Sequence, residues 1–591
     1  VCLGMTFKND EERREYFREE LRKKLPELRK IEGFPIGDDE DIIALSDPPY
    51  YTACPNPWID EIINEWMEDR NEKLLDYQRY PFTSDVSEGK NDAFYNAHGY
   101  HTKVPYKAIL KYILYYTEPG DIIFDGFAGT GATGVAAKYA GSKEVVESLG
   151  YEVDPTGKIR GDGKFVSKIG RRNVILNDLS PSATLISYNY NNNNEANAFR
   201  IEAERILLEV KQETEWMYRT KHRENEYGYI TDMVWSDVFI CPSCSSEIIY
   251  WDIAVDFESK KMNKKLTCQN CKVELNKRNL ERVWISYYDS DIQKTLKIAK
   301  QIPVLINYIV DNKRYSKKVE KEDLMLLEKI ENAKIDYWYP VDKVPDGYNT
   351  RQPLVSHGIE YVHQFYTKRN LLTLASLFNK IKDSPFFNKL LFFFQASINR
   401  ATKTNRFRFG GTGGLSGTLY IPSLCVERSV LFLVENKLRD QLKILEENDI
   451  ISHFSIMTQS SSTDINMKEN SIDYIFTDPP FGSNIMYSEL NFLWESWFRI
   501  FTNNKQESII NPVQDKDLDD YKSLMEASFR NFYKILKPNR WMTVEFSNSQ
   551  SSVWNTIQEA IQKAGFVIAN VSTLDKKQGS FKAVTTTTAV K

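Results

Sequence analysis

A doubly wound α/β fold carrying one long insertion is the class this sequence predicts, and three observations predict it. The apolar strand DIIF runs straight into the Gly-rich turn DGFAGTG at 125–131, and a helical pattern opens behind it. The strands NVILND and DYIFTD also end in an acidic residue and lead toward helices, so strand and helix alternate on both sides of the chain's middle. Between about 215 and 450 that rhythm disappears, and two Cys-x-x-Cys pairs lie in the gap. One Rossmann-like domain interrupted by an insertion accounts for all three.

Taken in order, residues 9–30 read as a solvated amphipathic helix, because charge is interleaved with apolar positions. DIIALSDPPYYTACPNPWID at 41–60 reads as a strand followed by a Pro-rich turn. Apolar spacing in KAILKYILYY predicts a helix at 106–116. DPTGKIRGDGK, within 142–172, reads as a hairpin decoration, and RRNVILNDLSPSATLISYNYN as strand, acidic end and helix. After the insertion come the strands of ISHFSIMTQSSSTD and SIDYIFTDPPF and the helix of YSELNFLWESWFRI. A helix around 519–536, the strand WMTVEF at 541–546, a helix near 551–564 and the strand FVIANVSTL follow.

Composition narrows the function. Apolar residues make up 41% and charged residues 27%, as in a globular protein. A net charge of −5 excludes a polycation, so any nucleic-acid surface must be a local patch. No run of 18 apolar residues exists, which excludes a spanning helix and argues against a membrane partner. Seven cysteines in 591 residues do not make a disulfide framework, and a reducing, cytoplasmic setting is the expectation.

The turn at 125–131 is the most informative stretch. Glycines at 129 and 131 let the backbone turn sharply and approach a ligand closely, with a helix starting beneath it. No Lys-Ser/Thr follows, which argues against a P-loop. Asp178, at the end of the next strand, is placed to accept hydrogen bonds from ribose hydroxyls. Asp478-Pro479-Pro480-Phe481 closes a third apolar strand on the crevice side of a parallel sheet. Two prolines fix the backbone there, the Phe481 ring offers a stacking face for a planar base, and the carboxylate can accept hydrogen bonds from an exocyclic amine. That combination suits methylation of such an amine from S-adenosylmethionine, and a base inside a duplex would have to be flipped out first.

DGFAGTG, NDLSP and FTDPPF, together with HGYHTKVPYKAILKYILYYTEPGDIIFDGFAGTG, resemble the motifs of S-adenosylmethionine-dependent amino-group DNA methyltransferases. WSDVFICPSC, SGTLYIPSL, DPPFGSNIMYSELNFLWESW and LKPNRWMTVEF narrow the likeness to the large adenine-specific DNA methylases with a zinc ribbon. The resemblance implies that Phe127, Gly129 and Gly131 hold the methionine end of the cofactor, that Asp125, Ala128 and Thr130 also bind the cofactor, and that Asp178 binds its ribose. It implies that His101, Thr102, Lys103 and Pro105 close the pocket, and that Asp478, Pro479, Pro480 and Phe481 receive the base. Double-stranded DNA is the implied substrate, N6 of adenine the implied target, and restriction-modification or phage defence the implied setting, with other subunits of such a system as further partners. The corresponding division is a pocket-closing N-terminal region (1–105), a first methyltransferase segment (106–212), an insertion (213–450, zinc ribbon about 235–285) and a second segment (451–591).

A second box, Asp47-Pro48-Pro49-Tyr50, precedes the cofactor loop, as the catalytic box does in one subgroup of these enzymes. Asp478 is preferred because the run from HFSIMTQSSSTD to DPPF supplies the third and fourth strands in order; YTACPNPW then lines the pocket mouth. The insertion follows the second strand rather than the third, which weakens a cofactor role for Asp464.

Cys241, Cys244, Cys268 and Cys271 form two knuckles with 23 residues between the pairs, the spacing of a structural four-thiolate Zn²⁺ site. The intervening segment alternates apolar and polar as a ribbon hairpin would. Cys2, Cys54 and Cys425 read as ordinary thiols, and His222, His357, His363 and His453 as packing or surface histidines. In the basic stretch 366–411, residues 371–396 read as structural, whereas Arg400, Lys403, Arg406 and Arg408 suit phosphate contacts. Competing readings are a cytosine-N4 enzyme, an RNA or protein-glutamine methyltransferase, and a catalytically silent DNA-binding subunit. Finally, DKKQGSFKAVTTTTAVK stops before an apolar strand forms, so the chain is expected to be a fragment of a longer protein or to borrow a closing strand.

Overall fold

The computed structural model describes residues 2–68, 77–83, 92–192, 195–446 and 454–571. Two compact units divide the chain: Val1–Glu195 with Lys443–Asn491 and Phe498–Lys591, and Ala196–Leu442 with Phe492–Trp497.

The first unit is built on six parallel strands: β1 (Tyr51–Thr52), β2 (Ile122–Asp125), β3 (Asn173–Asp178), β4 (Ser455–Gln459), β5 (Ile472–Thr477) and β6 (Leu536–Val544). Their order is β1-β4-β3-β2-β5-β6. Every residue of β2, β4 and β5 is buried, which is why these strands read as continuous apolar runs rather than alternating ones. From β2 the chain winds outward through β3 to β4, then returns to the other side of β2 as β5. The winding therefore reverses between β2 and β5, and the crevice beyond their carboxyl ends is where an open α/β sheet binds ligands.

Helices α1 (Asp10–Leu28), α2 (Tyr106–Tyr116), α3 (Ala132–Tyr139), α4 (Pro181–Asn191), α6 (Leu518–Ile535) and α7 (Ser551–Lys563) belong to this framework, as does the first part of α5 (Tyr487–Phe498), through Asn491. In α1 the buried residues Arg13, Phe17, Leu21 and Leu25 recur every fourth position and form one stripe. Ser180 caps α4, its hydroxyl accepting from the Ala183 amide at 3.4 Å, and Pro181 follows at the first helical position.

Several expectations need correction here. DIIALS is not a strand: residues Asp39–Leu45 form a helix whose Ile42, Ile43 and Leu45 are buried, a spacing of one and three that a short apolar run shares with a strand. The decoration at 142–172 is a helix, Lys143–Ser148, plus a three-stranded antiparallel sheet rather than a lone hairpin. FVIANVSTL forms no strand over its described part, 566–571, where Val567 is 90% exposed. The segment expected to lead toward a closing strand, residues 575–591, lies outside the described residues.

The second unit is an antiparallel sheet flanked by helices. Its longest strand, Glu226–Ile240, pairs with Gln301–Val310 on one side and Leu424–Arg428 on the other. The unit begins with helix Ala196–Thr214, which packs on Lys368–Ile381. Leu371, Leu374, Leu390 and Phe393 are buried in the helices of the stretch read as structural.

Candidate functional site

The cleft beyond β2 and β5 is held open by a loop with a defined hydrogen-bond pattern. The Asp125 carboxylate, at the end of β2, accepts from the Phe127 amide at 3.1 Å and from the Thr133 hydroxyl at 2.5 Å. It therefore pins the loop to the start of α3, and burial pushes its pKa up to about 7. Gly129 and Gly131 have φ of 51° and 75°, the left-handed region that a side chain disfavours. At Gly131 an added Cβ would collide with Ser187 and Asn191 of α4, so that glycine permits close packing rather than ligand contact. At Gly129 it would meet only the Tyr100 ring at 3.8 Å, which leaves this backbone open toward the cleft.

Asp178, at the end of β3, accepts from the Gly129 amide at 2.9 Å and the Ser180 amide at 3.0 Å. Burial raises its pKa to about 6. Two acceptor oxygens leave capacity for a ligand hydroxyl. On the opposite wall Asp478, at the end of β5, is half-buried and lines the same cleft with Pro480 and Tyr487. The Pro480 carbonyl accepts from the Tyr521 hydroxyl at 2.8 Å, and the Phe481 carbonyl from the Asn548 amide at 2.8 Å, so the box is braced from α6 and from the turn after β6. Glu507 accepts from the Ser488 amide at 2.9 Å and so caps the first turn of α5, which carries Tyr487. The space amounts to about 910 Å³ counting its open mouth.

Segment 100–105 forms the lip. Tyr100, Thr102 and Lys103 line the cleft; the Thr102 hydroxyl lies 3.3 Å from that of Tyr487. His101 Nε2 sits 3.0 Å from Asn491 Oδ1, and Asn491 donates to Ser180 at 3.0 Å. Burial pulls the His101 pKa down to about 4, so the ring is neutral and serves this chain of hydrogen bonds. The Lys103 ammonium donates to the carbonyls of Tyr95, at 2.9 Å, and of His98, anchoring the lip. Pro105 precedes α2 as its N-cap.

Thus Thr102, Lys103, Asp125, Phe127, Ala128, Gly129, Thr130, Asp178, Asp478 and Pro480 share the cleft, whereas His101, Pro105, Gly131, Pro479 and Phe481 stand outside its lining. Ser461 and Ser462, after β4, and Glu507 also line it and were missed. Serines carry no charge signal in sequence, and Glu507 lies far from any motif. Asp464 is exposed and outside the lining.

Residues 9–157 match the family model described as DNA methylase. The DNA methylase match covers about a quarter of the chain and supports DNA methyltransferase activity in general, with the S-adenosylmethionine use and DNA substrate that such activity implies. It includes the loop at 125–131 and the box Asp47–Tyr50, and it ends before Asp478. No curated protein and no solved structure matches the chain.

The first box is closed by its own neighbours. Asp47 Oδ1 is 2.7 Å from the Arg13 guanidinium and 3.0 Å from that of Arg14, while Oδ2 accepts from the Tyr188 hydroxyl. These arginines hold the Asp47 carboxyl far below the usual carboxylate range despite its burial. Neither this box nor YTACPNPW lines the cleft, which corrects the expectation that the latter forms the pocket mouth. Asp47→Ala is expected to cost up to about 3–5 kcal/mol of stability, measured by denaturant unfolding, because Arg13 loses its buried counter-ion and keeps only the exposed Asp10 at 2.7 Å. A depressed carboxyl pKa contributes stability above its unfolded value and loses it as pH falls, so the difference from wild type should shrink in acid.

In the second unit, Cys241 and Cys271 sulfurs lie 3.7 Å apart and those of Cys244 and Cys268 3.8 Å apart, with all four within 4.8 Å of one another. Tetrahedral Zn–S bonds of about 2.3 Å require S···S separations of about 3.8 Å. The two knuckles repeat one backbone pattern: the Ser245 amide donates to Cys241 O at 2.9 Å and the Lys272 amide to Cys268 O at 3.0 Å. Ser245 and Lys272 both adopt positive φ, 56° and 63°. The residues fit a metal ion. Between the knuckles the predicted hairpin is broken by helix Tyr250–Ala254, whose Tyr250, Trp251, Ile253 and Ala254 are buried against Phe239 and Leu266.

Arg400 and Arg408 are exposed and Arg406 half-buried, whereas Lys403 turns inward; burial lowers its pKa, offset by Cys425, Glu331 and Glu427. Cys2, Cys54 and Cys425 are buried. His357 and His363 pair with Asp237 and Asp289 at 3.2 and 2.8 Å, and His222 Nδ1 is 2.9 Å from the Tyr308 hydroxyl. His453 lies outside the described residues. No described helix is long and apolar enough to cross a membrane.

Proposed function

We propose that the chain transfers a methyl group from S-adenosylmethionine to the exocyclic N6 of an adenine flipped out of double-stranded DNA. The observation that carries this reading is that the loop at Gly129 and the carboxylate of Asp478 close neighbouring parallel strands and line one cleft. The adenine amine is a weak nucleophile because its lone pair is delocalised into the ring. The Asp478 carboxylate and a backbone carbonyl of the box accept its two N–H groups and draw the nitrogen toward tetrahedral geometry. S-Adenosylmethionine, when bound, supplies a methyl group activated by the neighbouring sulfonium. Asp178 suits the positive charge of that cofactor, and the open backbone at Gly129 gives it room. After transfer, the proton released by the amine passes to Asp478 and on to water. The residues therefore act by positioning and electrostatics.

Asp rather than Ser at the head of the box favours adenine over cytosine N4 by resemblance. The four cysteines are assigned a structural Zn²⁺, because four thiolates leave no open coordination position. The test is incubation with duplex DNA and isotope-labelled cofactor, followed by mass spectrometry of the nucleosides. N6-methyladenine is the expected product. N4-methylcytosine would change the target base, and cofactor binding without transfer would favour the silent-subunit reading.

A further inference from the structure

We infer that the tip of the cysteine module and the hairpin Arg406–Gly413 form one continuous surface for the phosphate backbone of duplex DNA. The two segments are about 150 residues apart in sequence, and an aromatic cluster joins them. The Trp251 ring meets Phe407 edge-on at 5.1 Å, Phe407 meets Phe409 at 5.2 Å, and Phe409 reaches Phe257 at 6.2 Å. Phe257 opens the turn between Val255–Asp256 and Lys261–Met262, while Phe407 lies in strand Arg406–Arg408, which pairs with Gly411–Gly413. Rings thus fasten the basic tips of two hairpins to each other.

The charge on this surface is lopsided. The stretch DFESKKMNKK at 256–265 holds four lysines against two acidic residues. Lys260, Lys261 and Lys264 are exposed and make no ion pair among the described residues, whereas Lys265 lies 3.7 Å from Glu274. Of the acidic pair, Asp256 accepts from the Ser259 amide at 3.0 Å. Across the rings stand Arg406 and Arg408, likewise without an ion pair among the described residues. In a chain of net charge −5, five cations outside any ion pair among the described residues, with Arg406 half-buried and Lys261 in the field of Asp256, are an electrostatic footprint for a polyanion. Duplex DNA is the occupant because the proposed activity, on which this inference rests, acts on it. The module thereby gains a role beyond holding its own fold.

The test is binding of the full chain to duplex DNA by fluorescence anisotropy over a range of salt. The combined substitution Lys260→Ala, Lys261→Ala and Lys264→Ala should weaken binding roughly tenfold to a hundredfold near 0.15 M salt and flatten the salt dependence by about two to three, given a slope of about 0.9 per phosphate contact. Cofactor affinity, read by calorimetry, should not change. Phe409→Ala, which keeps every charge but loosens the joint, should also weaken binding. Wild-type affinity and slope in the triple-lysine variant would overturn the inference, as would equal lysine-dependent binding to single-stranded RNA. Absence of any DNA binding by the wild-type chain would instead remove the substrate from the proposed function.

Discussion

Asp478→Ala is expected to lower methyl transfer by about 10²–10³-fold or more, the scale seen when one preorganised electrostatic group is removed from a reaction centre. Cofactor affinity should stay close to wild type, because Asp125, Gly129 and Asp178 hold the other wall of the cleft without it. Single-turnover transfer with saturating cofactor, paired with calorimetry, separates the two effects. The comparison that matters is Asp47→Ala, since the DNA methylase match contains Asp47 and not Asp478. Asp47 is enclosed by Arg13, Arg14 and Tyr188, so its loss should appear in stability while transfer per folded molecule persists. Full activity in Asp478→Ala with loss in Asp47→Ala would move the catalytic role to the first box.

The second large effect concerns the cysteines. Purified chain should carry about one zinc ion, since one structural site uses four ligands. Structural zinc contributes apparent binding energies of about 10–16 kcal/mol in small zinc domains, so removing it should unfold the module. Cys241 and Cys268 are embedded among Val234, Phe239, Ile248 and Trp251, and Cys241→Ser or Cys268→Ser should expose that core and make it susceptible to proteolysis. Cofactor binding should outlast the module's unfolding, because none of these residues lines the cleft. Metal-free chain with four titratable thiols and undiminished resistance to denaturant would refute the assignment.

How much of this was legible beforehand depends on the range of the interaction involved. Strand β2 with its glycine turn, strand β3 ending at Asp178 and strand β5 ending at Asp478 could be read directly, because apolar runs followed by glycine, proline or an acid are local signals. The two cysteine knuckles were legible for the same reason: ligand spacing is written into a few consecutive residues. DIIALS was misread because a seven-residue amphipathic helix and a short buried strand share one apolar pattern, and only packing against the rest of the unit separates them.

Strand order in the sequence favoured the second of two nearly identical boxes, and tertiary structure decided how the first is kept out of the cleft. Asp47-Pro-Pro-Tyr and Asp478-Pro-Pro-Phe carry the same local information, yet Arg13, Arg14 and Tyr188 converge on the first from elsewhere in the chain. It also decided that Lys403 turns inward while Lys260, Lys261 and Lys264 stand out beside Arg408, and that Ser461, Ser462 and Glu507 complete the pocket wall. Motifs built from neighbouring residues are determined by sequence because their chemistry is covalently held together. Burial, ion pairing and the meeting of distant hairpins depend on which surfaces the folded chain brings into contact, and composition carries no record of that.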